Sequence, residues 1–150
     1  MSAKIPGILA GVAGEYFVAA ELSRRGYIAS ISLRNSRGID ILATKHDATK
    51  SVTIQCKANQ LGRKEWMLSD KSETFVADNH FYMFVSLGKS DERPHFHIVP
   101  SERVARDIKT SHERWLAAAG RGGHKRVDSS IRKFADEADE FLEKWELLRL

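Results

Sequence analysis

The 150-residue sequence has a single cysteine, Cys56, so no disulfide can form within the chain. This scarcity of cysteine fits a reducing compartment. The sequence also has no apolar stretch approaching the ~20 residues that cross a bilayer, and it does not begin with the charged segment, apolar run and cleavage site of a secretory leader. We therefore expect a soluble, cytoplasmic protein that makes no contact with a membrane.

Motifs of several familiar enzyme classes are missing as well. The sequence contains no phosphate-binding loop of the Gly-x-x-x-x-Gly-Lys type and no Gly-x-Ser-x-Gly nucleophile elbow. His112 and Glu113 are not followed by a second histidine at the spacing of a zinc-protease helix. No internal repeat or low-complexity tract occurs. The chemistry must therefore be sought in a less regular pattern of polar residues.

Hydrophobic residues make up 42% of the sequence, which suffices for one compact core at this length. We expect a single domain over residues 1–150, with a core over 8–100 and C-terminal helices over 101–150 packed on it. The net charge is +4, but acidic residues crowd the segment 136–150, and the rest of the chain carries 22 basic and 14 acidic residues. Such a body attracts nucleic acid by releasing counterions, although a solvated basic surface is the commoner cause of this charge.

Helical and strand periodicities alternate along the chain. The spacing of Leu9, Val12, Tyr16, Ala19 and Leu22 predicts a first helix, which ends near Gly26. Short apolar or alternating runs predict strands at residues 27–33, 39–44, 52–58, 81–87 and 95–99. The second and third of these flank a polar segment and form a predicted hairpin. The pattern indicates an α/β fold with a central mixed β-sheet flanked by helices.

The remaining segments give weaker signals. Residues 60–79 are polar with scattered apolar anchors, which favours a loop or a short helix over the sheet. Ser101 is a predicted N-cap for a helix that runs to about Ala118. Helical spacing of apolar residues predicts a last helix that docks on the core or forms a dimer contact. Its stripe consists of Phe134, Ala138, Phe141, Trp145 and Leu148.

Polar residues on two neighbouring predicted strands form a candidate site. Alternation places Gln55 and Lys57 on one face of their strand and Cys56 on the other. A hairpin symmetric about Asp47 and Ala48 sets Asp40 directly across from Gln55. Aspartate is depleted inside strands, so a carboxylate between two isoleucines needs a partner. A structural ion pair with Lys57 would satisfy it, but so would a functional site.

These residue types are suited to hydrolysis of phosphodiester bonds. A hard cation such as Mg²⁺, or Mn²⁺, takes carboxylate and carbonyl oxygens as ligands and can polarise a phosphate. We expect Asp40 to be the central ligand, with the side-chain oxygen of Gln55 and the backbone carbonyl of Cys56 completing the set. Lys57 would orient the attacking water or offset charge on the phosphate. Glu15, on the first helix, would hold outer waters or a second ion.

The same residues resemble the PD-(D/E)xK superfamily of restriction-endonuclease-like nucleases, and within it the Holliday-junction resolvases and Mrr-type restriction enzymes. The resemblance spans residues 12–60 and rests on Gly14-Glu15, Gly38-Ile39-Asp40-Ile41 and Ile54-Gln55-Cys56-Lys57. It implies a mixed sheet flanked by helices, with Glu15, Asp40 and Lys57 catalytic. Gln55 departs from the usual acidic residue, although Mrr-type members also carry Gln-x-Lys. One fewer negative charge should weaken metal binding.

The resemblance implies a Mg²⁺-dependent endonuclease that acts on DNA. Five basic residues are candidate contacts to phosphate, either just before Asp40 or in the glycine-rich loop: Arg34, Arg37, Arg121, Lys125 and Arg126. Because two active sites are needed to cut both strands at once, we also expect a homodimer. The sequence leaves open whether the substrate is duplex, branched or single-stranded DNA, or RNA.

Three other interpretations remain. The chain could be a non-catalytic relative that only binds nucleic acid, with Gln55 reflecting lost metal affinity. It could also be a protein interaction module that uses its acidic C-terminal segment. His95 and His97 lie two apart on one strand and could ligate zinc, although no cysteine or acidic residue accompanies them at metal-site spacing.

Overall fold

The computed structural model describes residues 3–33 and 37–150. Helix α1 spans Gly7–Arg24 and α2 spans Ser101–Ala117; neither described α-helix is long and apolar enough to cross a membrane. Short 3₁₀ helices cover Asp70–Glu73, Arg121–Gly123 and Trp145–Leu148. The strands are β1 (Tyr27–Ile31), β2 (Ile41–Lys45), β3 (Ser51–Asn59), β4 (Glu65–Ser69), β5 (His80–Ser86), β6 (His95–Pro100) and β7 (Ile131–Ala135).

Five strands form the central sheet in the order β1-β2-β3-β5-β6. β3 and β5 run parallel, while the other neighbours are antiparallel. The predicted mixed sheet is therefore confirmed. Ile41 pairs with Ile54, and this register, continued by one residue, sets Asp40 opposite Gln55 as the symmetric hairpin predicts.

Each face of the sheet has its own apolar core. On one face α1 supplies Val18 and Leu22, which pack on inward residues of β2, β3 and β5 such as Ile54. On the other face α2 and the two-stranded β4-β7 sheet cover Tyr82 and Phe84. β5 contributes to both cores because successive side chains of a strand point to opposite faces. All seven of its residues are buried.

Gly14 lets α1 lie close to the sheet. A Cβ atom built on Gly14 would fall 2.8 Å from the Cβ of Ala58 on β3. The helix is anchored at its start as well, since Gln60 accepts the backbone N–H of Ile5 at 2.9 Å and donates to the Ile5 carbonyl at 2.9 Å. Together these contacts set the height and position of α1, and hence of Glu15, over β3.

The predicted last helix is wrong. Residues 131–135 form β7, which pairs antiparallel with β4, and Ala138 is exposed. Asp139 and Glu143 have φ values of 56° and 55°, which an α-helix cannot contain. Residues 60–79 likewise hold a strand, β4, before their short helix.

The buried carboxylate of Asp136 binds the segment of chain that follows β7. Its carboxylate accepts backbone N–H groups of Glu140 and Phe141, each at 2.9 Å, and Nδ1 of His97 lies 2.7 Å from its Oδ2. His97 is therefore engaged in a buried pair with Asp136. Over residues 3–33 and 37–150, no three His, Cys, Asp or Glu side chains are grouped so as to hold a metal ion. The zinc interpretation gains no support.

The start of α2 also differs from expectation. Ser101 is its first helical residue and Pro100 occupies the N-cap position without a side-chain hydrogen bond. The Ser101 hydroxyl instead donates to the backbone carbonyl of Ala77 at 3.0 Å, and its oxygen accepts the backbone N–H of Ala77 at 3.1 Å. Ser101 thus fixes the loop before β5 to the helix rather than capping the helix.

Candidate active site

The candidate site lies where β2 and β3 part. The backbone N–H of Asp40 donates to the carbonyl of Ile54 at 2.8 Å. This is the last backbone hydrogen bond between the two strands at this end. Two residues further along β3, the N–H of Cys56 donates to Oδ2 of Asp40 at 2.7 Å. A side-chain carboxylate therefore occupies the place that the neighbouring strand would otherwise fill.

The alternation of β3 decides which backbone groups face this gap. The N–H of Thr53 and the carbonyl of Asn59 bond toward β5, whereas the carbonyl of Ile54 bonds toward β2. Because hydrogen-bonding direction alternates along a strand, the N–H and carbonyl of Cys56 both point to the β2 side. The Cys56 carbonyl is thus directed into the same gap as the Asp40 carboxylate.

Ser32, just beyond β1, holds the other side of Asp40. Its backbone N–H donates to the Asp40 carbonyl at 2.8 Å, and its hydroxyl donates to the Ile39 carbonyl at 2.6 Å. The main chain of Asp40 is therefore fixed from both neighbours, β1 and β3. Such fixed placement is what a ligand or catalytic carboxylate requires.

Burial and neighbouring charge act in opposite directions on Asp40. Partial burial raises the pKa of its carboxyl group, while the hydrogen bond from Cys56 and the positive charge of Lys57 lower it. The burial effect is the largest of the three. A carboxylate held in a partly desolvated gap gains from a cation, which is a feature of functional sites.

Glu15, on α1, is close enough to Cys56 for its charge to act on the thiol. Burial raises the pKa of the Cys56 thiol well above its usual value, and the nearby carboxylates of Asp40 and Glu15 raise it further, while Lys57 lowers it. The charges of all three predicted ionic residues are therefore felt at Cys56. The thiol itself packs against the α1-side core, as predicted for a small buried hydrophobe.

Gln55 and Lys57 lie on the other face of β3. They pair in register with Tyr82 and Phe84 of β5, whose side chains belong to the α2-side core. Gln55 and Lys57 therefore lie on the α2 side of the sheet, whereas Glu15 belongs to α1, which packs on the other side. Gln55 and Lys57 are both half-buried, which fits a cleft better than a flat surface.

The donor set suits a hard divalent cation. Its oxygens are the carboxylates of Asp40 and Glu15, the amide oxygen of Gln55 and the carbonyl of Cys56, and Mg²⁺ and Mn²⁺ prefer oxygen ligands. One of these oxygens, Oδ2 of Asp40, already accepts the hydrogen bond from Cys56. The residues therefore fit such an ion, with two carboxylates rather than the three that an acidic residue at position 55 would give.

The predicted phosphate contacts fall into two groups. Arg37 is exposed beside Gly38, close to Asp40 in the chain, whereas Arg34 lies outside the described residues. Arg121 and Lys125 are exposed in the loop after α2, and Arg126 is half-buried against Trp115. The second group belongs to the α2-side layer, so the structure does not bring all the basic residues to one edge of the gap.

Sequence reasoning missed two supporting residues. Ser32 carries no motif, because a serine after a strand is common and its partners are backbone carbonyls. Phe75 packs over Gly38, where a Cβ atom would lie 3.2 Å from its ring, and Gly38 has a φ of 69°. The Gly38-Ile39-Asp40 pattern signalled this glycine, but nothing in the sequence identified its aromatic neighbour.

Comparison with known proteins agrees with this architecture. No protein-family model matches the chain, and no curated protein matches it by sequence. Among solved structures, Hjc, a Holliday junction resolvase from the archaeal hyperthermophile Archaeoglobus fulgidus, is 14% identical with a TM-score of 0.51, covering 91% of this chain and 92% of its own. The bacterial homing endonuclease I-Ssp6803I is 12% identical with a TM-score of 0.51, covering 99% and 94%.

These matches span nearly the full length of the chain and of both proteins. They show that the chain has the restriction-endonuclease-like fold, and they confirm the resemblance in fold that the sequence predicts. At such low identity the likeness concerns the fold alone.

Proposed function

We propose that this protein is a divalent-metal-dependent endonuclease that hydrolyses phosphodiester bonds in DNA. The observation that carries the proposal is the position of Asp40: its carboxylate lies in the gap between β2 and β3, hydrogen-bonded to the N–H of Cys56 at 2.7 Å. The charges of Glu15 and Lys57 act on the same place. Two solved structures of similar fold are a Holliday junction resolvase and a homing endonuclease.

Mg²⁺ or Mn²⁺ would be held by Asp40, Gln55, the Cys56 carbonyl and Glu15. When bound, the ion supplies positive charge that polarises the phosphate and lowers the pKa of a coordinated water. Asp40 holds its carboxylate in a fixed place because Ser32 and Ile54 fix its main chain. Gln55 contributes an oxygen without charge, so we expect weaker cation binding than an acidic residue would provide.

Lys57 brings the positive charge that the protein itself supplies. Its charge lowers the pKa of Asp40, so its ammonium group stabilises the ionised carboxylate. The same ammonium group would orient the attacking water or offset negative charge as it develops on the phosphate. Glu15, on α1, would accept a proton from ordered water or bind the outer shell of the ion.

Cleavage assays test this proposal. Labelled duplex, branched and single-stranded DNA, and RNA of the same sequence, are incubated with the wild type and with Asp40→Ala and Lys57→Ala, in Mg²⁺, Mn²⁺ or EDTA. We expect cutting that needs the ion and falls at least about a hundredfold in both variants. Asp47→Ala, at the exposed hairpin turn, is a matched control that removes a carboxylate without reducing activity.

Other outcomes distinguish the alternatives. Binding of DNA in EDTA with no cutting under any condition would refute the enzyme and favour a non-catalytic relative. Cutting that persists in Asp40→Ala would place the chemistry elsewhere. Salt-insensitive association with a protein and no affinity for nucleic acid would indicate an interaction module.

A homodimer is part of the same proposal, and α1 offers the surface. Its side away from the sheet is apolar, with Ile8 75%, Leu9 55% and Tyr16 65% exposed. Apolar surface of this kind is typical of protein contacts. Sedimentation of the wild type and of Leu9→Lys tests it: we expect a dimer that the charge disrupts, and a monomeric wild type would contradict dimerisation without touching the catalytic proposal.

A further inference from the structure

An exposed tryptophan lies beside a cavity on the α2 side of the molecule. Trp115, on the last turns of α2, is 41% exposed, whereas Trp66 and Trp145 are 2% and 8% exposed. Next to it a cavity of about 310 Å³ opens between α2 and the outer face of the β4-β7 sheet. Met67 and Ile131 line its floor, and both are exposed.

Two side chains, His112 and Arg126, lie over the ring of Trp115, and we call the three residues together the platform. The His112 ring is nearly parallel to the indole, at 22° and 5.6 Å between ring centres. The guanidinium group of Arg126 lies 4.9 Å from the centre of the Trp115 ring, and its Nη1 donates to the Trp115 carbonyl at 2.8 Å. Nε2 of His112 lies 2.7 Å from a carboxylate oxygen of Asp128, which fixes the imidazole plane.

The glycine-rich loop after α2 is shaped to deliver Arg126 to this platform. Gly120 donates its N–H to the His124 carbonyl at 2.8 Å, and a Cβ atom on Gly120 would lie 2.9 Å from that same oxygen. Gly122 and Gly123 have φ values of 70° and 79°, which favour glycine. The loop therefore has a defined turn conformation that these glycines allow.

The segment that carries the platform has more basic than acidic residues. Between residues 106 and 133 the sequence has eight Lys or Arg and three Asp or Glu. Some of these are neutralised in place, since Arg132 pairs with Glu73 and Lys133 with Glu65. Arg121 and Lys125 are exposed in the loop itself.

We propose that this platform binds an unpaired base of a nucleic-acid strand, stacked on Trp115, with the strand's phosphates held by the loop cations. A flat aromatic ring next to arginine is the chemistry that binds bases without regard to their identity. The positive charge favours a polyanion over an apolar peptide, and the cavity reaches the lower limit of about 300 Å³ for sites that enclose small ligands. The proposal shares DNA as a partner with the proposed function but does not depend on cleavage.

Fluorescence and binding in EDTA test the proposal with the whole chain. The probes are labelled oligothymidylate and an abasic oligomer of equal length. We expect oligothymidylate to quench tryptophan emission, because Trp115 is exposed and the other two tryptophans are buried. Trp115→Ala should weaken binding at least about fivefold. Trp115→Phe, which keeps a stacking ring, should retain most of the affinity while losing the quenching.

A control variant and the use of EDTA keep the outcomes separate. Ile28→Ala removes an exposed apolar side chain from β1, and we expect it to bind as the wild type does. Because binding is measured in EDTA, its outcome does not depend on whether the protein cleaves DNA. Equal binding of the abasic oligomer would leave only attraction to phosphate and overturn the stacking proposal. Unchanged affinity in Trp115→Ala, or saturable binding of poly-glutamate in place of oligothymidylate, would overturn it as well.

Discussion

Asp40 is subject to two opposing requirements. Its carboxylate must be held in a partly buried gap to serve as a ligand, yet burial raises its pKa and so disfavours the charged form. Lys57 and the N–H of Cys56 offset this effect only in part. Strain of this kind is common at functional sites, where a side chain is kept for its chemistry and not for stability.

A test of this conflict is Asp40→Asn in metal-free solution. The raised pKa means that the folded state keeps the Asp40 proton to higher pH than the unfolded state does. Ionisation of Asp40 therefore reduces the free energy of unfolding as pH rises through the interval above 3.8. Asparagine keeps an acceptor oxygen for Cys56, so the stability of the variant relative to the wild type should increase from acid to neutral pH.

Urea denaturation at several pH values, with EDTA present, measures this difference. A variant whose relative stability stays constant, or declines, as pH rises would contradict the assigned burial of Asp40.

Gln55 offers a second test, which rests on the proposed function. Gln55→Glu adds a carboxylate directly across from Asp40, so we expect Mg²⁺ to bind on the order of tenfold more tightly. Calorimetric titration with Mg²⁺ and Mn²⁺ measures the affinity. Asn79→Asp makes the same chemical change at an exposed position and should leave the affinity unchanged. Equal metal affinity in Gln55→Glu would exclude residue 55 from the ligand set.

Helix α1 and strand β3 form a tight contact whose strength can be measured. Gly14→Ala would put its Cβ 2.8 Å from that of Ala58, so the helix must move away from the strand. Overpacking costs about 1–3 kcal/mol, which exceeds the gain of about 1 kcal/mol in helix propensity. We therefore expect a lower free energy of unfolding in urea.

Gly11→Ala is the matched control for this prediction. No atom lies within 4 Å of the Cβ that it would create, so it should gain stability by roughly 0.5–1 kcal/mol. The double variant Gly14→Ala with Ala58→Gly removes the clash and should recover part of the loss. Equal stability of Gly14→Ala and Gly11→Ala would show that α1 has room to move.

Strand β7 lies where the sequence pattern predicts a helix. Phe134 stacks on Phe84, with ring centres 4.6 Å apart and an angle of 9°. Its truncation to alanine should cost about 3–5 kcal/mol of unfolding free energy, measured by urea denaturation. Lys133→Ala changes the exposed neighbour on the opposite face of the strand and should cost under about 0.5 kcal/mol. Similar losses in both variants would contradict this orientation of β7.

The elements that the sequence predicts correctly are those with plain local patterns. The β2-β3 hairpin and the apolar strands β5 and β6 are of this kind. The helix α1 is also predicted correctly, but its buried face holds Ala10, Gly14, Val18 and Leu22, whereas Leu9 and Tyr16 of the predicted stripe are exposed.

Strand β7 lacks such a pattern, because one of its two buried residues is Arg132, which is paired with Glu73. Phe134 and Phe141 have the spacing of residues on one face of a helix. In the structure the buried carboxylate of Asp136 accepts the backbone N–H groups of Glu140 and Phe141, so the chain turns between the two phenylalanines.

The candidate site around Asp40 can be predicted from the sequence only in part. The register of Asp40 opposite Gln55 follows from hairpin symmetry alone, and the structure confirms it. That Glu15 reaches the same place from the first helix stays a prediction, because it depends on the height of α1 above Ala58. Tertiary contacts of this kind have no sequence period to reveal them.

The stability of the folded protein should also depend on His80, which lies between Thr53 and Phe75. Burial lowers the pKa of His80 from 6.5 to about 4. As pH falls through this interval the unfolded state takes up the proton first, so the free energy of unfolding decreases by at most about 3 kcal/mol. In His80→Gln this contribution is absent, and the variant should lose less stability than the wild type between pH 7 and 4.

Urea midpoints for both proteins at each pH measure the effect. Parallel loss of stability in the wild type and in His80→Gln would contradict the role of this histidine.

The two cores on either side of the sheet share one property: each is completed by the last part of the chain. Trp145 and Leu148 belong to the α1-side core, while Phe134 and Phe141 belong to the α2-side core. During synthesis, neither face can be sealed until the ribosome has released these residues. The nascent chain therefore exposes both apolar faces of its sheet until residues 134–148 have emerged from the ribosome, and chaperone capture should continue up to that point.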